Sequence, residues 1–233
     1  MLNLDKKFSF ENLKTPHLMI VEDKTIKWLI RGLIKKINEN YNIIEKDENI
    51  DYVENDKKDI CCGIYTLRYG KGQIRRIPGP KTSGFDKLKS ILLIADNDAK
   101  KEIKYFYKKL KEMKKNGEEI ELYYYHHCLI PSKSKDGNEI EDYIYNRSDN
   151  SNRVKFDEIN NFIDFFIKNF SLNIPCPPNR LNKRILNILI YIESGNLDNL
   201  EENKCKYVEN IINNIGEKER IFVELKKFLD NTK

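Results

Sequence analysis

Short apolar runs alternate with amphipathic stretches of helical period through the first 150 residues of the chain. Leu18 to Val21 is one unbroken apolar run, and Ile91 to Ala95 is another. Runs of this kind are typical of parallel strands that are buried on both faces of a sheet. A stretch with apolar residues on one helical face follows each run, as at residues 24–38 and 99–115. The pattern therefore predicts an α/β fold with a mostly parallel, Rossmann-like sheet flanked by helices.

The same periodicities predict the remaining strands and helices. Asp23 is predicted to cap the first helix, and Asp98 to cap the second. Strands are predicted at residues 17–21, 41–45, 60–67, 91–98 and 120–126, with an acidic loop at 49–58 and a short helical linker at 85–90. Later helices are predicted to begin near residue 139 and to cover 157–170, 181–192, 204–215 and 218–229, with a polar loop at 147–153. We expect an α/β core over residues 1–150, with the helices of 151–233 packed on the same domain.

Carboxylates follow the two clearest strands at the point where each apolar run ends. Glu22 comes directly after the first run, and Asp96 and Asp98 close the second. Ligands of open α/β sheets bind outside the carboxyl ends of the strands, so neighbouring strands would bring these three side chains together. Carboxylates at close quarters repel each other unless a cation joins them, and Mg²⁺ prefers oxygen ligands. The pattern predicts a divalent-metal site at this edge of the sheet.

Composition and charge narrow the classes of partner. The chain has 233 residues and a formal net charge of +5, which mildly favours an anionic partner such as nucleic acid. No two of its five cysteines have zinc-ligand spacing, and an odd number argues against a disulfide framework. No apolar run approaches the roughly 20 residues that span a membrane. We expect a cytoplasmic protein without a membrane partner, and the oligomeric state is left open.

The most basic loop of the chain is GKGQIRRIPGPKTSG, residues 70–84. Besides Lys71 it carries Arg75, Arg76 and Lys81, which are candidates for contacts with the phosphate backbone of a nucleic acid. A solvated loop without a ligand explains the same residues equally well. No Gly-Lys-Ser/Thr follows the glycines of this loop, so it is not a P-loop.

A glutamate that closes the first strand, with Asp-x-Asp closing a later one, resembles the TOPRIM domain of topoisomerases, bacterial primases and OLD-family nucleases. Glu22, Asp96 and Asp98 match that pattern. Downstream, EIEDYIYN is similar to the acidic signature of small OLD-like TOPRIM proteins, with the acidic pair at Glu141 and Asp142. Lys183, in NKRILNILIYI, matches a lysine that opens a later helix in those proteins.

The resemblance implies metal-dependent cleavage of DNA or RNA with Mg²⁺ or Mn²⁺. It makes Glu22, Asp96 and Asp98 ligands of one ion, and it makes Glu141 and Asp142 ligands of a second ion or holders of its waters. It also implies that Lys183 stabilises charge on the reacting phosphate. From the residues alone, helix capping by the acidic pair and a solvated lysine are equally open interpretations. Because OLD-family nucleases usually contain an ATPase, a separately encoded ATPase is a further candidate partner.

Two other functions compete with the nuclease interpretation. A TOPRIM-like module could bind a metal, a nucleotide or a partner protein without cutting. The opening LMIVED also resembles a response-regulator receiver, although the 74 residues from Glu22 to Asp96 are more than a receiver places between its acidic pair and its phosphoacceptor. Asp23 stands where many TOPRIM domains have glycine, so it is either an added ligand or a sign of divergence.

Overall fold

A computed structural model describes residues 9–46, 49–68, 70–78, 82–117, 120–131, 139–169, 181–194 and 200–232. Within these ranges the chain forms an α/β fold with one six-stranded, mostly parallel sheet flanked by helices. The predicted fold class is therefore confirmed. None of the helices in these ranges is long and apolar enough to cross a membrane.

The strands are β1 (His17–Val21), β2 (Asn42–Glu45), β3 (Ile50–Glu54), β4 (Ile60–Thr66), β5 (Ser90–Asp96) and β6 (Tyr124–Ile130). The helices are α1 (Lys24–Ile37), α2 (Lys100–Lys115), α3 (Ile140–Arg147), α4 (Asn150–Asn169), α5 (Leu181–Ser194), α6 (Leu200–Ile211) and α7 (Arg220–Asp230). Short 3₁₀ turns cover Lys71–Arg76, Asn97–Ala99 and Ile212–Asn214.

The sheet order is β2-β3-β4-β1-β5-β6, which places β1 between two parallel partners. Strands β4, β1, β5 and β6 run in one direction, while β3 is antiparallel to both β2 and β4. The carboxyl ends of β1, β4 and β5 therefore meet at one edge of the sheet. The loops that leave these three strands are the ones positioned to build a site.

Each face of the sheet has its own hydrophobic cluster. Met19 and Val21 of β1 belong to the cluster shared with α1 and the C-terminal helices. Leu18 and Ile20 belong to the cluster on the opposite face, where Phe106 of α2 packs. Since successive side chains of a strand point to opposite faces, a strand covered on both sides must be apolar at every position. This double burial explains the unbroken apolar run at β1.

The C-terminal helices pack on the same face as α1. The side chain of Lys36 in α1 donates hydrogen bonds to the carbonyl oxygens of Ile212 and Ile215, at 3.1 and 2.8 Å. A Cβ atom added at Gly32 would lie 2.7 Å from the side chain of Ile212, so α1 approaches the turn after α6 closely. The division of the chain at residue 150 stays a prediction.

Several predicted element boundaries are wrong. The segment predicted as an acidic loop contains strand β3, and residues 85–89 form turns and bends instead of a helix, with Ser90 already in β5. The predicted strand at 120–126 is displaced, because β6 begins at Tyr124 and ends at Ile130. His126 and His127 lie inside β6. Helix α4 begins at Asn150, where a polar loop is predicted, because Asp149 accepts a hydrogen bond from the amide of Asn152.

Candidate metal centre

The three carboxylates predicted as metal ligands converge at the carboxyl edge of the sheet. One ligand oxygen from each of Glu22, Asp96 and Asp98 can be chosen so that all lie within 4.8 Å of one another. Strands β1 and β5 are parallel neighbours, and the amide of Glu22 donates a 3.0 Å hydrogen bond to the carbonyl of Ile94. This pairing brings residues 74 positions apart to the same point.

Backbone amides hold the carboxylate of Glu22 in place. The amide of Asp96 donates to Oε2 at 2.9 Å, and the amide of Lys71 donates to Oε1 at 3.2 Å. Gly70, which precedes Lys71, has φ of +67°, a conformation that other residues adopt only with strain. The glycine thereby allows the loop after β4 to turn its amide toward Glu22.

Asp96 joins the sheet to α3. Its Oδ1 accepts a 2.8 Å hydrogen bond from the amide of Ile140, the first residue of that helix. The amide at a helix N-terminus favours a negative charge, so α3 contributes to holding Asp96. Asp98 is not the predicted cap of α2, because the helix begins at Lys100 and Asp98 lies in the preceding 3₁₀ turn. Asp23 does cap α1, and accepts a 2.9 Å hydrogen bond from the amide of Ile26.

Burial and mutual repulsion make two of these carboxylates hard to ionise. Burial raises the pKa of Glu22 to about 7; the charges of Asp23 and Asp98 also raise it, while the amide of Asp96 and the ammonium of Lys71 oppose the rise. Burial, then the negative charge of Glu22, raises the pKa of Asp96 well above its ordinary value. A cation at this point would remove the repulsion and favour the ionised forms.

Lys71 belongs to the acidic site, although the sequence pattern identified it only as part of the basic loop. Its ammonium forms an ion pair with Oδ2 of Asp98. Burial lowers the pKa of Lys71. The hydrogen bond to Asp98 and the negative charge of that residue outweigh the effect of burial, so the pKa is raised overall. The end-of-strand rule could have found this residue, since Lys71 follows β4, the other parallel neighbour of β1.

The predicted second ligand pair, Glu141 and Asp142, lies in the first turn of α3. Asp142 forms a capping box with Glu139, whose amide donates a 3.1 Å hydrogen bond to it. Glu141 is almost fully buried, and its charge acts on Asp96. Its Oε1 lies 3.5 Å from the ammonium of Lys204 in α6. Capping thus accounts for Asp142, while Glu141 lies beside the acidic cluster.

The predicted lysine of the site falls in α5, and a different lysine is close to the acidic pair. Lys183 lies in the first turn of α5, and its side chain is outside the described residues. Lys204 is 9% exposed and forms the ion pair with Glu141. No sequence signal distinguished Lys204, because its helix brings it to α3 only through tertiary packing.

The predicted nucleic-acid contacts lie on the segment that carries Lys71. Arg75 and Arg76 are exposed in the same 3₁₀ turn, while Ile74 anchors the turn in the core. Lys81 lies outside the described residues. The turn therefore joins the acidic site to an exposed basic surface.

No family model, curated protein or solved structure matches this chain in the three comparisons made with known proteins.

Proposed function

We propose that this chain is a TOPRIM-type nuclease that cleaves phosphodiester bonds of DNA or RNA with Mg²⁺ or Mn²⁺. The observation that carries the proposal is the convergence of Glu22, Asp96 and Asp98 within 4.8 Å at the edge where β1 and β5 end. Three carboxylates drawn from two strands have the donor chemistry of a site for a hard divalent cation. Their position also agrees with the family pattern of a glutamate after the first strand and Asp-x-Asp after a later one.

The donor set fits a divalent ion on two grounds. All three side chains supply oxygen, and the raised pKa of Glu22 and Asp96 reflects a buried negative charge without sufficient compensation. When bound, the ion would supply Lewis-acid stabilisation of charge on the reacting phosphate. Glu22 and Asp96 are held by main-chain amides and would keep their orientation as substrate binds.

Positive side chains of the site have separate tasks in the proposal. The partly exposed ammonium of Lys71, which pairs with Asp98, would meet a phosphate oxygen of the substrate and neutralise its charge. Arg75 and Arg76 would contact the phosphate backbone beside the reacting group.

The second-ion role of Glu141 and Asp142, the role of Lys183 and the partnership with an ATPase stay predictions. Asp142 takes part in the capping box of α3, and Glu141 forms an ion pair with Lys204. These contacts favour a site that binds one metal ion and not two.

Nicking of plasmid DNA and cleavage of labelled RNA with Mn²⁺ or Mg²⁺ test the proposal directly. We expect cutting with either ion, none in EDTA, and loss of cutting in Glu22→Ala and Asp96→Ala. The matched control is Asp56→Ala, which removes an exposed carboxylate in the turn between β3 and β4. Unchanged cutting by the site variants would overturn the proposal. Mn²⁺ binding without turnover would favour the non-catalytic module.

The basic turn has its own test. Arg75→Ala combined with Arg76→Ala should weaken nucleic-acid binding and lower its salt dependence, by about 0.9 in logarithmic slope for each duplex phosphate that the variant no longer neutralises. An unchanged slope would mean that the turn is only solvated.

The receiver interpretation has less support from the topology. Receivers share the flavodoxin-like strand order 2-1-3-4-5, in which the first strand lies between the second and third. Here β1 lies between β4 and β5, and an antiparallel pair extends the sheet beyond β4.

A further inference from the structure

Helix α2 concentrates positive charge far more than the chain as a whole. Its sequence KKEIKYFYKKLKEMKK contains eight lysines and two glutamates, a formal charge of +6, while the entire chain carries +5. The remainder of the chain is therefore close to neutral. Charge concentrated on one helix creates a local field that attracts anions, which evenly interleaved charges do not.

The lysines of α2 form a continuous exposed stripe. They recur three or four positions apart, a spacing that places them on one side of the helix. The members of the stripe are Lys100, Lys104, Lys108, Lys111 and Lys115, all of them exposed. The stripe runs for about 22 Å at 1.5 Å per residue. The first lysine of the stripe, Lys100, directly follows the 3₁₀ turn that contains Asp98. The stripe therefore extends along α2 from the acidic site toward the other end of the helix.

Exposed aromatic rings lie where the stripe ends. Tyr125 at the start of β6 is 38% exposed, and Tyr123 just before it is 60% exposed. The ammonium of Lys114 lies 4.9 Å from the centroid of the Tyr125 ring. Tyr107 of α2 packs against Tyr125 at 5.8 Å between centroids, and its hydroxyl is 2.9 Å from Nδ1 of His127. The ring of Tyr125 is thus supported by α2 while part of its surface faces solvent, and the hydroxyl of Tyr123 donates a 3.5 Å hydrogen bond to the carbonyl of Asn231, just after α7.

This surface is separate from the candidate metal centre. In the pairing of β5 with β6, Asp96 aligns with Ile130 and Tyr125 aligns with Ile91. Five residues at about 3.3 Å each place Tyr125 about 17 Å from the level of the acidic cluster. Helix α2 spans the gap, since it runs from the cluster toward the start of β6.

We propose that the lysine stripe of α2 and the tyrosines at the start of β6 bind single-stranded nucleic acid and lead it to the acidic site. Lysines at regular intervals match a chain of phosphates, and exposed rings supported by neighbours provide faces on which unpaired bases stack. Stacking requires bases that are not paired within a duplex, so this surface selects single strands. Binding is a property of the surface alone, whereas delivery to the site rests on the proposed nuclease function.

A second copy of the chain is the competing occupant, because among the described strands β6 pairs only with β5 and so presents an edge. Two copies joined along this edge would bring two α2 helices of charge +6 toward one another. Like charges oppose that arrangement, while a polyanion complements it. The acidic residues nearby do not reverse the sign: Glu112 pairs with Lys108, and Glu224 lies beside His126.

Binding of a fluorescein-labelled oligothymidine and oligouridine, each of roughly 12 nucleotides, is measured by anisotropy in EDTA, so that no cleavage occurs. We expect Tyr123→Ala with Tyr125→Ala to weaken binding roughly 5- to 150-fold for each stacked base that is lost. Lys104→Gln with Lys108→Gln should lower the logarithmic salt slope by about 1.4, for two phosphates of a single strand.

Matched controls separate a binding role from a general effect. Tyr191→Ala removes a 46% exposed tyrosine of α5, which packs on the opposite face of the sheet, and should leave the affinity unchanged. Lys35→Gln with Lys57→Gln changes the total charge equally and should leave the slope unchanged. Tyr125→Phe retains a stacking face and should bind like the parent protein. If the double alanine variant loses its fold, Tyr125→Ala alone decides, since that ring contacts Tyr107 and Lys114 of α2.

Unaltered affinity in Tyr125→Ala and in the double alanine variant would overturn the proposal. Equal weakening toward a duplex of the same length would also overturn it, because duplex bases cannot stack on the rings. A shift of oligomeric state in the tyrosine variants, with oligonucleotide affinity unchanged, would assign the surface to a second copy. Binding in EDTA without any cutting in Mn²⁺ would retain this proposal and overturn only the proposed nuclease function.

Discussion

The main-chain amide of Asp96 donates a 2.9 Å hydrogen bond to Oε2 of Glu22, across 74 residues of sequence. The bond exists because β1 and β5 are parallel neighbours that end at the same level. It orients one candidate ligand by means of the backbone of another, and it favours the ionised form of Glu22 against the effect of burial. The geometry of the site therefore depends directly on the pairing of the sheet.

The first prediction concerns pH and the metal-free protein. The pKa of Glu22 is raised to about 7 in the folded state, so the folded protein holds a proton that the unfolded chain releases near pH 4.5. The stability from this group is fully present below pH 4.5 and is lost as the pH rises through about 7. The loss is on the order of 3 kcal/mol at alkaline pH. Urea unfolding at a series of pH values in EDTA measures it.

Glu22→Gln should flatten this dependence, because the amide does not titrate. Asp56→Asn, at an exposed turn, should leave the slope as it is in the parent protein. A parent protein whose stability rises between pH 5 and 8 would contradict the assignment of a buried, protonated Glu22.

The second prediction concerns metal binding as a stabilising ligand. An ion that binds only the folded state stabilises it, by about 2.7 kcal/mol at one hundred times its dissociation constant. We expect Mn²⁺ to raise the melting temperature, EDTA to reverse the rise, and Asp96→Asn to abolish it. Because a divalent ion must displace protons from Glu22 and Asp96, calorimetry should show affinity increasing from pH 6 to pH 8. Equal stabilisation of parent and Asp96→Asn would place the ion elsewhere.

The third prediction concerns Lys71, which pairs with the candidate ligand Asp98. Lys71→Met retains the main-chain amide that holds Glu22 but removes the ammonium that competes for Asp98. We expect Mn²⁺ to bind more tightly to this variant, while the cleavage rate falls by about 10²-fold or more with the loss of a charge-stabilising group. Titration of Mn²⁺ and single-turnover cleavage measure the two effects separately. A variant with weaker metal binding would show that Lys71 supports the ion instead of competing with it.

The fourth prediction concerns the ion pair that joins α6 to α3. Lys204 lies 3.5 Å from the buried carboxylate of Glu141. Lys204→Met should destabilise the fold by about 3–5 kcal/mol, since it removes the ammonium that faces the buried carboxylate of Glu141. The double variant Lys204→Met with Glu141→Gln should recover much of that loss, because both charges are then removed. Urea unfolding of the two single variants and the double variant gives the coupling energy; independent, additive effects would mean that the pair contributes little.

The central strands β1 and β5 were easier to predict from the sequence than β3 and β6. Strands β1 and β5 can be recognised from their unbroken apolar runs, because a strand that is buried on both faces is apolar at successive positions. Strand β3 was missed because Asp51 makes IDYVE resemble a polar loop. Asp51 is fully buried there, with Lys27 at 3.4 Å and Arg31 at 3.6 Å from its carboxylate oxygens. Both partners lie on α1, so this compensation exists only in the folded chain.

The start of β6 illustrates a second limit of local reasoning. The stretch IELYYYHHCLI, residues 120–130, is apolar or aromatic at every position except Glu121, so its pattern does not define where the strand begins. Pairing with β5 decides it, with Tyr124 opposite Ser90 and Ile130 opposite Asp96. His126 and His127 are therefore carried away from the metal site by register and not by any property of histidine.

By itself the sequence determined that buried parallel strands would end in carboxylates, because apolar spacing and the position of charges are local properties of the chain. Tertiary structure alone decided that β1 and β5 are neighbours, that Lys71 and Lys204 join the acidic residues, and that Tyr125 of β6 lies against α2. The physical reason is that a buried or clustered charge is stabilised by partners distant in sequence. Their identity depends on strand order and helix packing.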